Sequence, residues 1–129
     1  MNFGIKGVLD RFTQIEPKVL FAANGYFYNG KAHDSLKKLE GILNDLSSVQ
    51  KVVVIPYTED EPDISTVKNS ILFYNFMDND VTSIDFAQLP FDHPLYIMYS
   101  SGTTGLPKSI VHGAGGTLLQ HLKELCLHC

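Results

Sequence analysis

Between Tyr99 and Lys108 the chain gathers hydroxyls, two glycines and one lysine into the run Tyr-Ser-Ser-Gly-Thr-Thr-Gly-Leu-Pro-Lys, directly after the apolar stretch Leu95-Tyr96-Ile97-Met98. Each residue type has a use against a polyphosphate. Gly102 and Gly105 let backbone N–H groups approach an anion closely, Ser100, Ser101, Thr103 and Thr104 add short donors, and Lys108 adds positive charge. The spacing is not that of the Walker loop, because Leu106 and Pro107 stand between Gly105 and the lysine. Pro107 has no N–H and biases Leu106 toward extended geometry, and Ser109-Ile110-Val111-His112 is β-rich. The loop is therefore expected to join two strands, not to open a helix. A solvated Ser/Thr/Gly hairpin would have the same composition.

The elements that must hold this loop are legible from apolar spacing. Val8, Leu9, Phe12 and Ile15 form a short helical stripe ended by Pro17, and Lys18 to Ala23 reads as a buried strand that breaks at Asn24-Gly25. A polar, aromatic loop is expected from there to His33. Asp34 or Ser35 then caps a helix carrying Leu36, Leu39, Leu43 and Leu46, and Lys51-Val52-Val53-Val54-Ile55 is the next strand. Strand, helix, strand with continuous apolar runs predicts a β-α-β unit over residues 17–56, in a mostly parallel sheet flanked by helices, hence an α/β fold. Residues 57–92 are expected to form an acidic surface insertion with a short strand at Ile71-Leu72-Phe73-Tyr74. Residues 95–129 then read as strand, phosphate loop, strand and helix, with Gly113, Gly115 and Gly116 preceding an apolar helical stripe from Leu118 to Cys126. That helix is expected to pack behind the loop.

Composition narrows the partners. With 44% hydrophobic residues, a net charge of −4 and only 10 lysines and arginines scattered along the chain, no basic patch is present to neutralise a nucleic-acid backbone. No apolar run approaches the ~20 residues of a membrane span, and the N-terminus lacks the layout of a signal peptide, so a cytosolic home is expected. Cys126 and Cys129 are read as reduced thiols on a helix; a C-x-x-C pair with His121 and His128 nearby can ligate zinc, but a second ligand pair is missing. Glu59-Asp60-Glu61 lacks the alternating spacing of a cation cage and reads as a solvated face.

The run from Ser100 to Lys108 resembles the phosphate-binding signature of the adenylate-forming superfamily. Over most of its length, through QIEPKVLF, YNGKAHDSL, KVVVIPY, QLPFDHPLYIMYSSGTTGLPK and VHGAGGTLLQHLKELCLH, the chain is similar to the acetoacetyl-CoA synthetases, the last tract being the most discriminating. The resemblance implies a ligase that joins acetoacetate to coenzyme A through an acetoacetyl-adenylate, with ATP, Mg²⁺ and coenzyme A as reactants and cofactors. It implies that Ser100, Ser101, Gly102, Thr103, Thr104 and Gly105 wrap the ATP phosphates. Lys108 is then the catalytic cation, favouring the charge that develops as pyrophosphate departs.

Two further positions stay open at this level. Lys31, in Tyr28-Asn29-Gly30-Lys31, resembles the place where related acetyl-CoA synthetases contact the coenzyme A nucleotide phosphate, although Tyr28 stands where a second arginine would be. An exposed turn lysine is the favoured reading. His112 would line the acyl or nucleotide pocket or be a buried, hydrogen-bonded residue, and it is given no catalytic role because acetoacetate is already ionised at neutral pH. At 129 residues the chain is much shorter than members of that family and is read as an internal fragment of the large N-terminal domain, without the adenine, ribose and hinge elements or the lysine of the small domain. No turnover is expected of these residues alone, and apolar faces without partners are expected to make them aggregation-prone.

Overall fold

A computed structural model describes residues 4–101 and 105–128. The chain divides into two units, Met1–Val81 and Thr82–Cys129.

In the first unit, α1 (Ile5–Phe12) precedes β1 (Val19–Ala23), a hairpin of β2 (Gly25–Tyr28) and β3 (Lys31–Asp34), α2 (Leu36–Asp45), β4 (Lys51–Ile55), β5 (Ser70–Leu72) and the single turn α3 (Phe73–Phe76). Strands β1, β4 and β5 form one sheet in that order, both pairings parallel, with Leu20 opposite Val52 and Val54 opposite Leu72. The β-branched run Val52-Val53-Val54 is wholly buried in the central strand, as expected of a strand covered on both faces. One face packs against Leu39 and Ile42 of α2 and Leu46 just past its end, and Val8, Leu9 and Phe12 of α1 close the cluster. On the other face Phe21 meets Phe76 of α3 edge to face at 5.7 Å. The α/β architecture follows directly from these apolar runs.

Several local readings are corrected or narrowed. The stretch after Asn24 is not a loop: β2 and β3 pair in register from Gly25↔Asp34 to Tyr28↔Lys31. Its two-residue turn is Asn29-Gly30, both at positive φ (50° and 72°), the geometry that matches the right-handed twist of the flanking strands. The α2 cap is Asp34, whose Oδ1 accepts the Leu36 N–H at 2.7 Å, while Ser35 makes no side-chain cap. The strand expected at 71–74 is shifted: β5 spans Ser70–Leu72, and Phe73 and Tyr74 turn into α3. Within the acidic stretch, moreover, Val67 is buried and β5 forms the sheet's third strand, so that part is core.

The second unit contains β6 (Pro94–Ser100), β7 (Lys108–Gly113) and α4 (Ala114–Leu127). The strands are antiparallel, with Met98 opposite Ile110 and Tyr96 opposite His112, and the register shifts between Pro94 and Tyr96. The helix begins earlier than its leucine stripe suggests, so Gly115 and Gly116 lie inside its first turn.

Candidate phosphate-binding ribbon

The expected loop does join two strands. The pairing of β6 with β7 ends at Ser100↔Lys108, so these two residues face each other across the mouth of the loop. Residues directly opposite in an antiparallel pair project to the same face, which places a hydroxyl and an ammonium side by side where the loop begins and ends. Ser101 and Lys108 are exposed, as a group that must meet a soluble anion has to be. Gly105 has φ 114°, a conformation that side-chain-bearing residues rarely adopt. Leu106 is exposed, so nothing in packing explains its position. Gly102, Thr103 and Thr104, also expected in the loop, lie outside the described residues.

Strand and helix set the ribbon from below. The carbonyls of Phe91 and His93 accept the N–H groups of Gly115 and Ala114, each at 2.8 Å, so two of the orphan donors at the α4 N-terminus are satisfied by the chain itself. This helix end is therefore not the anion holder, in keeping with the loop's departure from the Walker spacing. The Phe91 ring lies so close to Gly115 that a Cβ there would sit 2.1 Å from it. Thr117 Oγ1 donates to the Gly113 carbonyl at 2.8 Å and tightens the passage from β7 into α4. Sequence reading missed this clamp; its signal was the proline-bracketed Pro90-Phe91-Asp92-His93-Pro94 facing Gly113-Ala114-Gly115.

Along the same strand face that carries Ser100 and Lys108, Tyr96, Met98 and His112 line a cavity of about 570 Å³, closed on the helix side by Thr117, Gln120 and His121. His112 is exposed there.

Lys31 lies in the first unit, exposed at the foot of the Asn29-Gly30 turn. Its hairpin bears an aromatic face: Tyr26 stacks on His33 at 5.1 Å, and Lys38 Nζ stands 5.7 Å from the Tyr26 ring. The hairpin is anchored by a residue that the sequence reading passed over as a strand break. Buried Asn24 accepts the Tyr57 and Thr58 N–H groups through Oδ1 at 2.7 and 3.1 Å, and its Nδ2 donates to Thr58 Oγ1 at 2.8 Å. Its backbone N–H donates to the Ile55 carbonyl and its carbonyl accepts from the Ser35 N–H, so one residue ties the ends of β1 and β4 to the start of α2. Only its Asn-Gly position hinted at it.

Cys126 is a free, exposed thiol, and Cys129 lies outside the described residues. Among the described residues no group of three His, Cys, Asp or Glu side chains is placed to hold a metal ion, and no helix is long and apolar enough to cross a membrane.

A family model described as AMP-binding enzyme matches residues 2–127. The chain is 51% identical to an acetoacetyl-CoA synthetase of Danio rerio, covering 98% of itself and 20% of that relative. It is 45% identical to a malonamoyl-CoA synthetase of Penicillium aethiopicum, over 94% of the chain and 18% of the relative. The solved acetoacetyl-CoA synthetase from Streptomyces lividans superposes with a TM-score of 0.86 at 43% identity, over 98% of the chain and 19% of that structure. The chain thus spans about a fifth of the length of the curated relatives it matches. A family match that runs almost end to end, over residues 2–127, places this chain in the AMP-binding enzyme family.

Proposed function

We propose that this chain supplies the ATP phosphate-binding ribbon of a ligase that activates acetoacetate as acetoacetyl-adenylate and passes it to coenzyme A. The observation that carries the reading is the Ser100↔Lys108 pair at the loop mouth, with Gly105 held at φ 114° between them. Hydroxyls of Ser100, Ser101, Thr103 and Thr104 and the backbone N–H groups of Gly102 and Gly105 would hold the β- and γ-phosphates. The acetoacetate carboxylate attacks the α-phosphorus, the bond to the bridging oxygen breaks, and pyrophosphate leaves with the electron pair. Lys108 stabilises the charge gathering on those departing oxygens. Thiol attack on the acyl carbon of the adenylate then releases AMP. Mg²⁺, which neutralises phosphate charge when bound, would be carried on the nucleotide's own oxygens. Lys31, on the aromatic hairpin, would meet a phosphate of the coenzyme A nucleotide.

A second reading of the acyl group has its own support. Malonamate, the acid implied by the name of the Penicillium relative, differs from acetoacetate by an amino group in place of a methyl beyond the carbonyl at C3. Short acids of the form X–CO–CH2–COO⁻ are the common class.

The test is a chimera in which these residues replace the matching segment of the Streptomyces lividans enzyme. It is expected to catalyse acetoacetate-dependent exchange of pyrophosphate into ATP, and Lys108→Ala is expected to lower that exchange by about 10²-fold or more, the range seen when a charge-stabilising donor is removed. Exchange unchanged by Lys108→Ala would refute the role.

A further inference from the structure

The β2–β3 hairpin of the first unit carries a row of rings with a cation at each end, and packing does not account for it. Tyr26 and His33 are directly opposed in the register and stack at 5.1 Å, and Tyr28 stands diagonally, 6.3 Å from the His33 ring. Lys31 is opposed to Tyr28, so all four side chains project from one face of the hairpin. At the other end of the row Lys38 of α2 holds its Nζ over the Tyr26 ring. None of these residues belongs to the unit's core, and Tyr28 is 71% exposed. The charges are as little explained by folding as the rings. Lys38 lies in the first turn of α2, which has no acidic side chain and where a cation opposes the helix dipole. The carboxylates nearest in sequence are engaged elsewhere: Asp34 accepts the Leu36 N–H, and Glu40 accepts from the Thr66 hydroxyl. Among the described residues neither Lys31 nor Lys38 is in an ion pair, although the chain carries a net charge of −4. Two such ammonium groups bracketing exposed rings suit a ligand that has a flat ring to stack and anionic groups on either side of it.

We propose that Lys38 is the second cation of a nucleotide site on this face, meeting the phosphate group that Lys31 does not, with the base stacked on Tyr28. The ligand is the nucleotide end of coenzyme A, an adenosine with a 3′-phosphate and a 5′-diphosphate. That name rests on the function proposed above; the rings and cations themselves ask only for a nucleotide phosphorylated on both sides of its ribose. Tyr28 is the open ring of the row, since Tyr26 already has His33 stacked on it and Lys38 over it. Lys38 belongs to a different element from Lys31, and the entry of α2 behind the hairpin brings it to the row.

The test titrates adenosine 3′,5′-bisphosphate into the 129-residue chain and follows the ring resonances of Tyr26, Tyr28 and His33. All three are expected to shift. Lys38→Ala should weaken binding ~10-fold, as loss of a charged hydrogen bond does, and Lys38→Arg should restore it. Tyr28→Ala should weaken it about 5-fold or more through the lost stack. Lys37→Ala, in the same helical turn but outside the row, should have no such effect. Rings that do not shift, or equal losses in Lys37→Ala and Lys38→Ala, would overturn the proposal. In the Streptomyces lividans chimera, Lys38→Ala should raise the KM for coenzyme A ~10-fold without a like rise for phosphopantetheine, a thiol acceptor that lacks the nucleotide. A KM that responds to Lys31→Ala but not to Lys38→Ala would remove Lys38 and leave the Lys31 reading standing. Pyrophosphate exchange by the unsubstituted chimera tests the ligase reading by itself: ring shifts in the chain without exchange in the chimera would support this site and remove that reading.

Discussion

The two units of this chain are built from similarly apolar segments and treat them in opposite ways. In the first, Leu39 of α2 is 4% exposed and Val52, Val53 and Val54 of β4 are fully buried; in the second, Leu122 of α4 is 47% exposed and β6–β7 has no buried residue among those described. The difference lies in what each unit supplies for itself. Strand β4 has parallel neighbours on both sides, two helices on one face and Phe21 with Phe76 on the other, whereas the ribbon has one helix. An apolar pattern states what an element needs; whether the need is met depends on which other elements are present.

The comparison can be broken by paired truncations. Leu39→Ala should cost about 2–5 kcal/mol, because it empties a packed site, whereas Leu122→Ala in the same chain should shift stability by no more than about 0.5 kcal/mol. Denaturant titration monitored by circular dichroism reads both, and equal losses would abolish the contrast. Next in size, Asn24→Ala should cost about 1–3 kcal/mol, since it strands the Tyr57 and Thr58 N–H groups beside a buried site. Asn24→Asp keeps acceptors for those N–H groups but loses the donation to Thr58, and should fall between wild type and alanine. Gly105→Ala should cost roughly 1 kcal/mol in the ribbon through backbone strain alone, because open space surrounds the position. Faster amide exchange confined to β6 and β7 would show it.

The smallest effect concerns pH. The Ser65 backbone N–H, with the Ser65 side chain, hydrogen-bonds the exposed Asp63 carboxylate and holds its pKa below the ordinary aspartate value. A depressed folded pKa gives stability that is present above the unfolded pKa and is lost as pH falls through the folded value. Asp63→Asn should therefore lower the first unit's stability slightly at neutral pH and flatten its acid limb. An acid limb identical in both proteins would discard the contribution.

Much of this was legible in the sequence where a single physical signal dominated. β1, α2 and β4 announced themselves by apolar runs and by three- and four-residue leucine spacing, and the loop's two strands by Pro107 and the β-rich run after it. The β2–β3 hairpin was missed despite its Asn29-Gly30 turn, because Gly25-Tyr26-Phe27-Tyr28 and Lys31-Ala32-His33-Asp34 show no clean alternation; the hairpin exposes Phe27 and Tyr28. In α4 the glycines argued for a later start, but the Phe91 and His93 carbonyls hold the first turn in helical form. At the site, the register sets Ser100 opposite Lys108, and only the strand–loop–strand order followed from the sequence. The Asn24 network and the Phe91–Gly115 contact did not, since each joins residues that only the folded chain brings together.

Amide hydrogen exchange along the isolated 129-residue chain tests the contrast between the units most directly. The account predicts that β1 and β4 are the slowest segments and that β6, β7 and α4 exchange much faster, because their opening exposes little further apolar surface. Protection of β6 and β7 equal to that of β4 in the isolated chain would contradict it.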